Sequence, residues 1–253
     1  MNTFWDQLRS KVLEHEAWAL RSIGGHGSGR PFTRANRAES PSRLWLQGLS
    51  FEGDAIIAVI LHGARLDACE FRRVALSAVG LEAAELTDCR FTSTTLNFAS
   101  MKEADLRRCT FDHCNLVEAS FKRAVLVECT ISRSSMALGV VRGARFANCD
   151  LRGYGIARVF GEGVVFEECD LRDLYAREAR LQDARFVRCD LRGADFEQAI
   201  LDGARFESCK LHGARGAPAS WQGVTFSDVD LSEEAHGGAR VESTSTPPWL
   251  SPP

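Results

Sequence analysis

A five-residue period, unbroken from Leu46 to Leu231, constrains this chain more than any other feature. Stepping by five from Leu46 gives Phe51, Ile56, Leu61, Leu66, Phe71 and Leu76, and the series closes at Phe226 and Leu231. Of its 38 positions only Gly161 and Gly216 lack an apolar side chain, although Ala176 is small. A helix repeats every 3.6 residues and a half-buried strand every 2.0, so neither gives a strict five. Two residues before each centre stands a small or β-branched residue, as at Ala64, Cys69, Val74, Val79 and Ala84. Both positions must face inward, and self-similarity of this kind decides the fold ahead of any local helix or strand assignment.

A longer period lies on top of the first. Cys69, Cys89, Cys109, Cys129, Cys149, Cys169, Cys189 and Cys209 recur every 20 residues, and of the nine cysteines only Cys114 stands outside the row. If five residues make one side and the pattern returns after 20, the coil has four sides, each stacked on its equivalent one turn away. Phe146, Phe166, Phe186, Phe206 and Phe226 form one such ladder, and Phe51, Phe71, Phe91 and Phe111 another on the next side. Coils in β-type contact sit about 4.8 Å apart, so about nine of them give a rod roughly 45 Å long. Glycine two residues after the centre, as at Gly143 and Gly153, suits a corner with positive φ.

Gly-Ala-Arg-Phe at 143–146 and 203–206, Cys-Asp-Leu at 149–151, 169–171 and 189–191, and Gly-Ala-Asp-Phe at 193–196 resemble the A(D/N)LXX unit of pentapeptide-repeat proteins. The resemblance covers residues 46–231 and implies an all-β solenoid, a right-handed quadrilateral parallel β-helix of about nine coils, here with a short N-terminal helix. The best understood family members bind DNA gyrase or topoisomerase IV as DNA mimics and protect them from quinolones or natural products. Others are effectors or companions of secretion systems. The resemblance therefore implies a non-enzymatic partner-binding protein, with topoisomerase protection as the most concrete version and a structural scaffold or adaptor as the alternative.

Charge departs from the mimic pattern. Duplex DNA carries one negative charge per roughly 1.7 Å, or about 26 over a rod of this length. Residues 46–231 hold 27 acids and 23 bases, a balance of −4. The acids gather in the C-terminal half, where Asp150, Asp170 and Asp190 stack but Arg152, Arg172 and Arg192 stack beside them. Glu167, Glu168, Asp170 and Asp173 are the acidic candidates for partner contact. Phe98, Leu138, Val140, Phe160 and Tyr175 are the apolar ones, expected to point outward on two neighbouring sides. Bulky Tyr154 and Leu174, two residues before a centre, are expected to fill volume that Ala176 gives up.

The ends read differently. Thr3 with Asp6, and Phe4, Trp5, Leu8, Val12 and Trp18, suggest an amphipathic helix over about residues 3–22. A glycine-rich linker follows, so residues 1–45 form a capping segment, 46–231 the rod, and 232–253 a Pro-rich disordered tail. In the first coil Ile56 and Val59 should point in and Ile57 and Ile60 out, which calls for a cover such as that helix.

Other chemistry finds little support. The thiol row, repeated at an inward position, reads as packing, with small hydrophobes in a straight line that cannot ligate a metal tetrahedrally. Cys109, His113 and Cys114 face opposite ways, and His62 and His212 stand far apart and solvated. The glycines at 24–29 lack the Gly-Lys-Ser/Thr ending of a phosphate loop. No catalytic constellation, metal or cofactor is expected, and the net charge of −3 implies neither nucleic acid nor membrane as direct partner. With no signal-peptide pattern and a longest apolar run of seven residues, 55–61, the expected location is cytoplasmic.

Overall fold

The computed structural model describes residues 10–15, 44–53 and 59–231. Its core is the four-sided coil implied by the period. The first side, centred on Leu46, Leu66, Leu86 and their equivalents, is a ten-stranded parallel sheet running from Trp45–Gln47 to Thr225–Ser227. The second side, centred on Phe51, Phe71, Phe91, Phe111 and Ile131, is a five-stranded parallel sheet that continues as single bridges from Thr130 through Asp150, Asp170 and Asp190 to Asp230. The third and fourth sides, centred on Leu76 and Leu81, are single-bridge ladders such as Asn115–Ser135–Gly155–Tyr175 and Ser120–Val140–Phe160–Arg180. Partners lie 20 residues apart on every side, as in Leu66–Leu86, Phe71–Phe91 and Phe146–Phe166.

In-register stacking explains the core. From Leu61 to Ala214 the centres and the positions two before them are buried, and like lies on like: the Phe71 and Phe91 rings are 4.8 Å apart at 3° and the Phe186 and Phe206 rings 4.8 Å apart at 6°. Phe121 and Phe196 meet these ladders edge-on, which fills the middle with offset and T-shaped aromatic contacts. The two centres without side chains are filled by neighbours. A Cβ on Gly161 would lie 2.9 Å from Leu181 Cδ2 and 3.2 Å from Val141 Cγ2. Gly216, at φ 109°, would bring its Cβ to 2.3 Å from the Glu197 nitrogen, so only glycine fits there.

Corners come in two kinds, and the residue two before the next centre separates them. Where it is alanine, its N–H closes a tight turn on the preceding centre, as in Ala84 to Leu81 (3.1 Å) and Ala104 to Met101 (3.1 Å). Where it is cysteine, threonine or serine, the side chain donates instead to the carbonyl one coil below. Cys89 Sγ lies 3.3 Å from Leu66 O and Thr94 Oγ1 3.0 Å from Phe71 O. These corners stay open, and at Cys69, Cys89, Cys109 and Cys129 three-residue strands stand on both flanks. The thiols are thus hydrogen-bond donors as well as the small hydrophobes expected of them. Positive φ also extends past glycine: among the described residues 25 non-glycines, Phe98 (60°) and Leu138 (61°) included, adopt it at the corner position.

At the N-terminal end, residues 10–15 form a helical segment. His15, fully buried, accepts the Leu44 N–H on Nδ1 at 2.9 Å, and Val12 packs on the core. Val59 faces the core as expected, while Ile60 bridges Gly80. The expected helix ends, Trp5 and Trp18, Ile56 and Ile57, and the tail at 232–253 lie outside the described residues.

Candidate functional site

The nine sequence-predicted contact residues do not form one site. Phe98 and Leu138 occupy the corner between the third and fourth sides, two coils apart in one column, and both are exposed. Val140 and Phe160 stand in the next column, bridged to each other and half-buried. Tyr175 is exposed at the start of the third side. From Ala75 to Phe160 the outward positions of the third side, this corner and the start of the fourth carry only Glu118 and Arg158 as charges. The rest are small or neutral, and the surface is broken by the Phe98 and Leu138 side chains. Its C-terminal border is basic: Arg180 lies 5.2 Å over the Phe160 ring and Arg177 5.4 Å over Tyr175.

Glu167 and Glu168 occupy the corner between the first and second sides, diagonally across the rod. The acidic and the apolar candidates therefore lie apart, because two neighbouring repeats in sequence are two sides of a square in space. The acids there are also neutralised. Glu167 pairs with Arg145 and with Arg188 (3.1 Å), and Glu168 with Arg188 (2.8 Å). Asp150, Asp170 and Asp190 each receive a two-pronged bond from the arginine two residues on, with Nη2 at 2.7, 2.7 and 2.6 Å. Arg152 also reaches Asp170 one coil up at 3.7 Å. Arg152 holds the Asp150 carboxyl below its ordinary pKa, and Arg145 does the same for Glu167. Asp173 lies at the next corner, its Oδ1 where a Cβ on Gly193 would fall.

The remaining chemical candidates resolve individually. His113 is exposed beside Asp112 (3.2 Å), turned away from the buried Cys109 and Cys114. His62 is not solvated as expected: it is half-buried, takes the Glu82 N–H on Nδ1 at 3.1 Å, and burial lowers its pKa. Burial pushes the Cys114 thiol up to about 11. Tyr154 is inward as expected, but its hydroxyl is buried with no hydrogen-bond partner. One groove of about 270 Å³ borders Glu168, Asp170, Arg188, Asp190 and Lys210, and another of about 380 Å³ lies at the C-terminal end along 218–223. Among the described residues no group of three or more histidine, cysteine and acidic side chains is arranged to hold a metal, and no helix is long and apolar enough to cross a membrane.

The rod has solved counterparts. HetL, a pentapeptide repeat protein involved in heterocyst differentiation regulation in the cyanobacterium Nostoc sp., aligns over 84% of this chain and 92% of its own at 19% identity and a TM-score of 0.49. QnrB1, a plasmid-mediated fluoroquinolone resistance protein, aligns over 71% of this chain and 94% of its own at 19% identity and a TM-score of 0.55. No curated protein sequence matches. The pentapeptide repeat region profile matches residues 64–138 and 162–235, more than half the chain. With that match, a strict five-residue period and four in-register sides, the chain belongs to the pentapeptide-repeat family.

Proposed function

We propose that this chain is a non-enzymatic protein-binding rod that docks its partner on the uncharged corner between the third and fourth sides. The observation that carries the reading is the pairing of exposed Phe98 and Leu138 with a surface whose only charges, over five coils, are Glu118 and Arg158. Exposed apolar area of that kind, rimmed by arginines, is the usual mark of a protein contact. The double variant Val140→Asp, Phe160→Asp should abolish complex formation while leaving the melting temperature within about 3 °C, because both side chains point outward. Unchanged binding would remove this corner as the contact surface.

The most concrete partner is a type II topoisomerase, by likeness to QnrB1. Gyrase supercoiling, with and without a quinolone, at rising concentrations of this protein tests it, with inhibition or protection expected. The second reading, a scaffold or adaptor, is favoured by one specific observation: the acids at Glu167, Glu168 and Asp170 are each spanned by an arginine and so do not present a duplex-like charge row. Absence of any gyrase effect would select it. The N-terminal segment is proposed as the cap of the first coil, supported by the His15–Leu44 bond. Deleting residues 1–40 should then cause aggregation, and a fully soluble monomer would refute the cap.

A further inference from the structure

The interior holds a feature that protein binding leaves unused. Eight buried free thiols, Cys69 to Cys209, form one row of equivalent positions 20 residues apart, and each Sγ lies 3.3–3.7 Å from a carbonyl oxygen one coil below. Equivalent atoms of stacked coils repeat at the ring spacing of Phe71 and Phe91, 4.8 Å. A metal–thiolate bond is about 2.3 Å, so each gap between sulfurs is close to two such bonds end to end. The side chains point across the rod and the gaps run along it, so an ion in a gap meets both sulfurs in line, roughly at right angles to their Cβ–Sγ bonds. That is linear two-coordination, which a straight row supplies and a tetrahedral ion cannot use.

Charge narrows the ion further. Each thiol carries one hydrogen, which it donates to a backbone carbonyl. A monovalent ion replacing that hydrogen leaves the buried row at unchanged charge, whereas a divalent ion adds one uncompensated positive charge per gap in a low-dielectric core. Thiolate sulfur selects soft ions, copper(I) among them. We infer that the cysteine row is a binding site for soft monovalent d¹⁰ cations, copper(I) or silver(I), each held linearly between consecutive sulfurs. Every ion that enters breaks one S–H bond, forms two S–metal bonds and releases one proton to solvent, with no electron transferred. Eight thiols enclose seven gaps, so seven ions displace seven protons and one proton stays on the row. The groove bordered by Glu168, Asp170 and Asp190, whose lining includes Cys169 and Cys189, is the entry point, with carboxylates at its rim. This site is independent of the protein-binding surface, on the other side of the rod.

Titration of the reduced, reductant-free full chain with silver(I) nitrate, followed by native mass spectrometry and far-ultraviolet circular dichroism, tests it. The expected capacity is seven ions with the β spectrum retained. Cys149→Ala, inside the row, should lower it to five; Cys69→Ala, at its end, to six; Cys114→Ala, off the row, should leave seven. X-ray absorption of the loaded wild-type protein should show two sulfur neighbours per silver. No uptake by the folded chain, uptake only with loss of the β spectrum, equal losses in Cys149→Ala and Cys69→Ala, or a shell of three or more sulfurs would each overturn the site. Should Cys149→Ala fail to fold, Cys129→Ala also removes two gaps and should lower the capacity to five, and the wild-type sulfur count decides without any variant.

Discussion

Two diagonally opposite corners of this rod solve the same electrostatic problem in different ways. In-register coils stack each side chain on its equivalent one turn away, and two like charges about 4 Å apart repel by about 1 kcal/mol even in water. Between the first and second sides the chain keeps its charges and cancels them: Asp150, Asp170 and Asp190 each carry their own arginine. Between the third and fourth sides it dispenses with charge over five coils and leaves Phe98 and Leu138 exposed. The difference separates solubility from recognition. The neutralised corner keeps the rod hydrated without a strong field, and the uncharged one offers area that a partner can dry at low cost.

That comparison holds only if the aromatic and aliphatic core, not the ion pairs, supports both corners. The sharpest test is Phe186→Ala, which breaks a fully buried ladder between Phe166 and Phe206. Chemical denaturation should show a loss of about 3–5 kcal/mol; a loss below about 1 kcal/mol would mean that the core is not what carries the rod. Acid comes next. The Arg133 hydrogen bond holds the Asp112 carboxyl far below its ordinary value, and Arg108 and Arg158 lower Asp88 and Glu178. Folded-state values below unfolded ones stabilise fully above the unfolded pKa of about 4 and lose that contribution as pH falls through it. The melting temperature should therefore be flat from pH 7 to 5 and drop between pH 4 and 2, approximately over the window set by those carboxyls.

Smaller effects separate the corners further. Tyr154→Phe, behind the uncharged side, removes a buried hydroxyl that has no partner and should stabilise by about 1 kcal/mol in the same denaturation experiment. Destabilisation would show that the hydroxyl is satisfied in solution, by a buried water for instance. Arg172→Ala, on the charged side, should cost at most about 0.5 kcal/mol, since both members of the pair are about a third exposed and solvent screens them. A cost above about 2 kcal/mol would make the arginine ladder a structural element and end the contrast.

Much of this was legible along the chain. The centres from Leu46 to Leu231, the Cys69–Cys209 row and the Phe146–Phe226 ladder follow from periods of five and 20, because stacking forces inward positions to repeat. The outward position of Phe98, Leu138, Val140, Phe160 and Tyr175 follows from the same register. What periodicity does not carry is which outward columns become neighbours around the square. Glu168 and Tyr175 are seven residues apart yet sit on different sides, whereas Phe98 and Leu138, 40 apart, share a column. Corner type was also hidden, though a signal existed: cysteine, threonine or serine before a centre opens the turn by bonding one coil below, and alanine closes it. Volume at Gly161 was assigned to no one from sequence, and Leu181 and Val141 fill it from adjacent coils.

The sequence by itself determined a four-sided coil, its register and the identity of its core, because a solenoid contacts only its neighbours and each five-residue unit states its own inward positions. Only the tertiary structure decided that the acids and the apolar groups lie on opposite corners, that arginines span the acids, and that each thiol of the row bonds to a carbonyl one coil below. Those facts depend on distances between coils and around the square, and such distances are set by stacking and corner geometry rather than by any residue's own preference.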